Sequence, residues 1–83
     1  MYIIFYFKST EPKSIMTRKA VKAYCLLTKT QSIEIICDNR EINIKEFPTI
    51  IFLDENDNEI KRLVGFQTIK SIINNTGCVE MVS

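Results

Sequence analysis

Blocks of apolar and polar positions along this chain predict six regular elements. The first block, Tyr2 to Phe7, is continuously apolar and rich in β-branched and aromatic residues, which predicts a strand buried on both faces. A polar break follows, in which Ser9 or Thr10 is a candidate helix cap. Pro12 fits the first turn of that helix, where no backbone donor is needed.

The segment after this break has the periodicity of an amphipathic helix that ends near Leu27 or Thr28. Apolar side chains recur there at steps of three and four, and we expect them to form the buried stripe: Ile15, Met16, Ala20, Ala23, Tyr24 and Leu27. Ile33 to Cys37 then has the composition of a second strand. Strand, helix and strand together predict a parallel βαβ unit with a right-handed crossover.

The second half of the chain predicts a hairpin and a short helix. Thr49 to Leu53 and Glu59 to Val64 are strand-like and flank a polar, acidic turn, which favours antiparallel pairing. Thr68 is a candidate cap for a last helix that ends near Gly77 and carries Ile69, Ile72 and Ile73.

These elements predict one α/β domain with the order β-α-β-β-β-α. A four-stranded mixed sheet with helices on both faces is the compact way to bury such apolar stripes. The connection from Asp38 to Lys45 is polar and has room for one short helical turn. We expect residues 1–77 to form the domain and residues 78–83 to be a C-terminal tail.

Composition narrows the classes of function. The chain has 83 residues and a formal net charge of +1, so it lacks the charge expected of a protein that binds nucleic acid or an anionic membrane. No apolar run is long enough to span a bilayer or resembles a signal peptide, and we therefore expect a cytoplasmic protein. Histidine is absent, which excludes Ser-His and Cys-His nucleophilic catalysis.

The three cysteines are too few and too far apart in sequence for a secreted disulfide framework or a zinc site. Cys25 and Cys37 fall in predicted elements, and we expect them to be buried as small hydrophobic residues. Cys78 falls in the predicted tail and is the candidate reactive thiol. We expect neither a metal nor a resident cofactor.

Two blocks of sequence are similar to the thioredoxin superfamily. Ile44-Lys45-Glu46-Phe47-Pro48-Thr49 resembles the hydrophobic-x-x-hydrophobic-Pro-Thr entry to a core strand of that superfamily, and Leu63-Val64-Gly65-Phe66 resembles the end of the following hairpin. The resemblance implies a minimal thioredoxin-like fold over residues 1 to about 75, and a cis bond before Pro48. The connection before this proline is several residues shorter than in thioredoxins, which implies that a helix has been lost.

The same resemblance implies a degenerate active site. Phe5 to Lys13 resembles the segment that carries Cys-x-x-Cys in thioredoxins and disulfide isomerases, with Thr10 and Lys13 at the two cysteine positions. A glutaredoxin-style alignment is shifted by one residue and places Glu11 and Ser14 there instead. Neither alignment leaves a thiol at the helix N-terminus, where the chemistry of these families requires a thiolate.

The resemblance therefore implies a redox-inactive module for protein binding or assembly. Its groove would be lined by Thr10, Glu11, Pro12, Lys13, Phe47 and Pro48, with the backbone of Phe47 offered to an extended peptide. Two alternatives stay open. One is a thiol-disulfide oxidoreductase that uses cysteines outside the standard positions, and the other is a glutathione-binding subunit without turnover. The oligomeric state is also left open.

Overall fold

The computed structural model describes residues 1–38 and 44–76. Six elements follow one another: β1 (Tyr2–Phe7), α1 (Pro12–Thr28), β2 (Gln31–Ile36), β3 (Thr49–Leu53), β4 (Glu59–Val64) and α2 (Ile69–Thr76). The order β-α-β-β-β-α is confirmed, and β3 and β4 have the predicted bounds. The predicted helix end at Gly77, the tail with Cys78 and most of the polar connection lie outside the described residues.

The four strands form one mixed sheet in the order β2-β1-β3-β4. β1 pairs in parallel with β2 and antiparallel with β3, and β3 pairs antiparallel with β4. β2 starts two residues before the predicted strand, and Cys37 lies just past its end. The backbone N–H of Cys37 still donates to the carbonyl oxygen of Phe7, at 2.8 Å.

Both helices pack on the same face of the sheet, whereas we expected one helix on each face. A single core contains alternate residues of the strands together with side chains of both helices: Ile3, Phe5, Phe7, Val21, Tyr24, Ile50, Phe52, Leu63 and Ile72. The reason lies in the connection from β4 to α2. The backbone N–H of Gln67 donates to the Thr17 hydroxyl at 3.1 Å, which holds the start of α2 against α1.

One-sided packing also corrects the expectation for β1. Its side chains alternate between buried and half-buried, because only Ile3, Phe5 and Phe7 face the helices. The stacked rings of Phe5 and Phe7, with centroids 5.0 Å apart, lie in this core. Tyr2, Ile4 and Tyr6 are on the opposite face.

The buried stripe of α1 differs from the predicted one. Its buried residues are Ser14, Thr17, Val21 and Tyr24, whereas Ile15, Met16 and Leu27 are exposed. Burial of the two hydroxyl residues has a physical reason, because each accepts a hydrogen bond from a backbone N–H outside the helix. Lys8 donates to Ser14 at 3.2 Å, and Gln67 donates to Thr17. These tertiary contacts set the rotation of the helix.

The start of α2 agrees with the prediction that Thr68 caps this helix. Thr68 accepts a hydrogen bond from the backbone N–H of Ser71 at 3.1 Å, and the Ser71 hydroxyl accepts one from the backbone N–H of Thr68 at 2.9 Å. This reciprocal arrangement is a helix N-cap, and the predicted role of Thr68 is confirmed. Neither helix in the described residues has the length and apolar character needed to cross a membrane.

Candidate functional site

The first turn of α1 is preceded by Glu11, whose backbone is extended, and Pro12 is its first residue. The predicted caps Ser9 and Thr10 therefore lie one or two residues too early, and the Glu11 side chain makes no capping hydrogen bond. Ser9 instead contacts Asp38, which follows β2. Its backbone N–H donates to Asp38 Oδ1 at 2.8 Å and its hydroxyl donates to Oδ2.

These two bonds tie the loop after β1 to the end of β2. The hydroxyl and then the backbone N–H of Ser9 stabilise the carboxylate and lower the pKa of Asp38 below its ordinary value. Sequence reasoning missed this contact, although a signal was present. β1 and β2 are parallel, so the residues that follow them meet at the same edge of the sheet.

The side chains that stand near each other at the start of α1 are those of Glu11 and Ser14. The Ser14 hydroxyl donates to Glu11 Oε1 at 3.3 Å, and Ser14 is fully buried. Thr10, Pro12 and Lys13 are exposed. The pair in contact one helical turn apart is thus the pair that the glutaredoxin-style alignment places at the two cysteine positions.

Phe47 and Pro48 lie at the entry to β3, which pairs with β1. The peptide bond between them is cis, and Pro48 is buried. The carbonyl oxygen of Pro48 accepts a hydrogen bond from the backbone N–H of Gly65 at 2.8 Å. Gly65 has a φ of +89°, a conformation that other residues rarely adopt, so the backbone requires glycine at this position. The Thr49 hydroxyl donates to the Glu46 carbonyl at 2.7 Å and holds the other side of the segment.

Lys8 contacts both predicted parts of the groove, the segment before α1 and the segment at Phe47. Its Nζ atom lies over the ring of Phe47, 5.1 Å from the centroid, which is a cation–π contact. Its carbonyl oxygen accepts a hydrogen bond from the backbone N–H of Glu11 at 3.2 Å. Lys8 was not among the predicted site residues, and only its position directly after β1 could have drawn attention to it.

The backbone of Phe47 makes no hydrogen bond to any other described residue, through either its N–H or its carbonyl oxygen. Its side chain is half-buried, so this stretch of chain is accessible. Next to it, a depression of about 500 Å³ lies on the sheet face opposite the helices, lined by Ile44, Lys45, Glu46, Thr49, Arg62 and Val64. The contribution of β4 to this depression was not predicted.

Of the described thiols, Cys37 lies at the end of the sheet that carries Asp38 and the loop after β1, and Cys25 lies near the start of β2. Cys37 is buried, as expected, whereas Cys25 is only half-buried, and burial raises the pKa of the Cys25 thiol more than the nearby Ser32 hydroxyl lowers it. Cys25 is beside Ser32 near the start of β2, and Cys37 follows the end of β2. Ser32 and Cys37 are five residue steps apart, which is about 16 Å of strand and too far for the roughly 7 Å that a disulfide allows between Cα atoms.

The described part of the chain has no candidate metal-binding site. Within residues 1–38 and 44–76, no group of three or more potential metal ligands is present.

Comparison with known proteins identifies the fold. No protein-family model matches the chain, and no curated protein sequence matches it. Similar solved structures include a malarial protein, with 17% sequence identity, a TM-score of 0.78 and coverage of 92% of both chains. They also include the chloroplastic thioredoxin z, with 17% identity, a TM-score of 0.75 and coverage of 96% of this chain and 78% of that chain. The chain therefore has a thioredoxin-like fold.

Proposed function

We propose that this chain is a redox-inactive module that binds an extended peptide segment of another protein beside Pro48. The observation that carries this proposal is the backbone of Phe47. Its N–H and carbonyl groups are hydrogen-bonded to no other described residue, next to a proline held by Gly65. An extended peptide that adds to such a segment gains backbone hydrogen bonds without any cysteine.

The side chains around Phe47 suit this mode of binding. The ring of Phe47 contacts Lys8, and we expect the exposed residues Thr10, Pro12 and Lys13 to line the groove opposite them. Charged groups of both signs flank the groove, since Glu11 and Asp38 lie at the same end of the sheet as the two lysines. We therefore expect the partner to be held by its backbone and by apolar contact rather than by net charge.

The same geometry argues against the oxidoreductase alternative. Disulfide exchange requires a thiolate nucleophile, and the groups in contact at the start of α1 are a carboxylate and a hydroxyl. Cys25 has a raised pKa, which lowers its thiolate fraction, and it is too far along β2 to pair with Cys37. A reducing compartment, which we propose to be the cytoplasm, suits a protein with an unpaired Cys25.

The test uses peptides selected from a random library of displayed peptides with the wild-type chain as bait. Binding of a selected peptide is then measured by fluorescence anisotropy. Lys8→Ala removes a cation–π contact of about 0.5–1 kcal/mol that positions the Phe47 ring, and we expect it to weaken binding about two- to fivefold. Lys61→Ala, on β4, is the matched control and should leave the affinity unchanged.

Competition with glutathione distinguishes the proposed peptide-binding module from a glutathione-binding subunit. We expect millimolar glutathione to leave peptide binding unchanged. Displacement of the peptide by glutathione would favour the glutathione-binding subunit. Failure to select any peptide, or equal losses for the two lysine variants, would refute the proposed groove.

A further inference from the structure

The two edges of the sheet differ in how they are protected against pairing with another strand. β4 carries a bulge opposite Phe52 and Leu53, and its exposed side chains include the Arg62–Glu59 ion pair and Lys61. Bulges and charged side chains are the devices that keep an edge strand from pairing. β2, Gln31–Ile36, also carries an ion pair, between Glu34 and Arg18, but it has no bulge, proline or lysine, and five of its six residues are exposed. In the described residues, no strand lies beyond it.

The direction of the unpaired backbone groups of β2 follows from its pairing with β1. The N–H of Cys37 donates to Phe7, so the N–H and carbonyl groups of every second residue back along β2 point inward. Those of Ser32, Glu34 and Ile36 point outward. An additional strand would find three residues whose backbone groups are bonded to nothing else in residues 1–38 and 44–76.

We propose that the strand that pairs with this edge is β2 of a second copy of the chain, in an antiparallel dimer with its twofold axis at Ile33. In this register, Ser32 and Glu34 of one copy exchange backbone hydrogen bonds with Glu34 and Ser32 of the other. Ile33 then faces its own symmetry mate. An axis at Glu34 would place two carboxylates opposite each other, which is unfavourable.

In this register, side chains beside β2 can contact side chains of the second copy. A depression of about 310 Å³ between α1 and β2 is lined by Lys22, Cys25, Leu26, Thr30 and Ser32. Because Glu34 of the second copy is opposite Ser32, its carboxylate, which Arg18 of the same copy already binds, lies on the face of the sheet that carries Lys22. Ile36 of the second copy is opposite Thr30 and approaches Leu26. Leu26 and Ile36 are 82% and 52% exposed in the single chain, so their contact would bury apolar surface that now faces water.

The test of this dimer is sedimentation equilibrium from micromolar to millimolar concentration. Ile33→Lys introduces an edge lysine at the axis, at a residue that is 52% exposed and so tolerates the change. We expect the wild-type chain to dimerise and Ile33→Lys to raise the dissociation constant by an order of magnitude or more. Ile60→Lys is the matched control, because Ile60 is 55% exposed on the other edge strand. It should dimerise as the wild type does.

A cross-linking experiment tests the register. In an antiparallel pair, residues such as Ile33 and its mate have Cα atoms about 4.5 Å apart, which a disulfide can bridge. Ile33→Cys is made in a chain whose natural cysteines are replaced by alanine, and is compared with Ile60→Cys. Mild oxidation should cross-link Ile33→Cys much faster.

Three results would overturn the proposal: a wild-type chain that stays monomeric at millimolar concentration, an Ile33→Lys variant that still dimerises, or equal cross-linking of the two cysteine variants. A monomeric chain that binds peptides at β2 would indicate that another protein pairs with this edge. None of these experiments involves Phe47, so they fail or succeed independently of the proposed groove.

Discussion

Replacement of Thr17 by valine should separate the role of one buried hydroxyl from that of its methyl group. Thr17 is fully buried on α1, and its oxygen accepts the backbone N–H of Gln67, which precedes α2. Valine keeps the shape of the side chain and removes the acceptor. The N–H of Gln67 is then left without its partner in a partly buried position.

The expected loss follows from two opposing effects. An unsatisfied, partly buried N–H costs about 1–3 kcal/mol. The methyl group of valine that replaces the hydroxyl recovers up to about 0.8 kcal/mol of apolar burial. We therefore expect Thr17→Val to lower the free energy of unfolding by about 0.5–2 kcal/mol, which in a domain of this size lowers Tm by several degrees.

The assay combines urea unfolding with amide hydrogen exchange of Gln67. Thr17→Ser keeps the acceptor and loses only a buried methyl group, so it costs about 1 kcal/mol while the Gln67 amide stays protected. Thr17→Val should instead speed exchange at Gln67 selectively, and Thr10→Val, at an exposed residue, should change neither quantity. A Thr17→Val variant with wild-type stability and unchanged exchange at Gln67 would show that this bond does not hold the start of α2.

Three further predictions concern the groove and the thiols. The double variant Glu11→Cys with Ser14→Cys should form an intramolecular disulfide, detected by intact mass, because these two side chains are in contact. It should do so more readily than Thr10→Cys with Lys13→Cys. The reverse order would favour the thioredoxin-style alignment. Asp38 has a lowered pKa, so its stabilising bonds to Ser9 are fully present above its ordinary pKa of 3.8 and are lost as the pH falls through its lower folded pKa. Asp38→Asn should therefore flatten the acid limb of a plot of unfolding midpoint against pH, and an unchanged limb would contradict this assignment. In oxidising glutathione buffer, Cys25 and Cys37 should form no disulfide with each other, and a peptide map that contains this bond would revive the oxidoreductase alternative.

Local signals predicted the fold well. The hairpin of β3 and β4 and the cap of α2 depend on neighbouring residues, so their patterns are visible in sequence. The rotation of α1 depends on backbone N–H groups outside the helix, those of Lys8 and Gln67, which donate to the buried hydroxyls of Ser14 and Thr17. A pattern of apolar residues carries no information about such donors. The placement of both helices on one face has the same origin.

In the candidate site, too, local features were predictable from sequence and long-range contacts were not. Phe47, Pro48 and Gly65 were recognisable because the resemblance covers a contiguous hairpin and its ends. Lys8 and the Ser9–Asp38 contact join segments that are far apart in sequence, so they became visible only in three dimensions. The parallel pairing of β1 and β2 was predicted, and it would have allowed the second of these contacts to be expected.

The most direct test of the proposed groove is an amide chemical-shift map of the chain, recorded by NMR with and without a peptide selected from the random library. We expect the largest shifts on Phe47, its neighbours in residues 44–49, Gly65 and residues 8–13. Shifts confined to β2 or to the outer surface of the helices would contradict it, because the peptide would then bind without using the backbone beside Pro48.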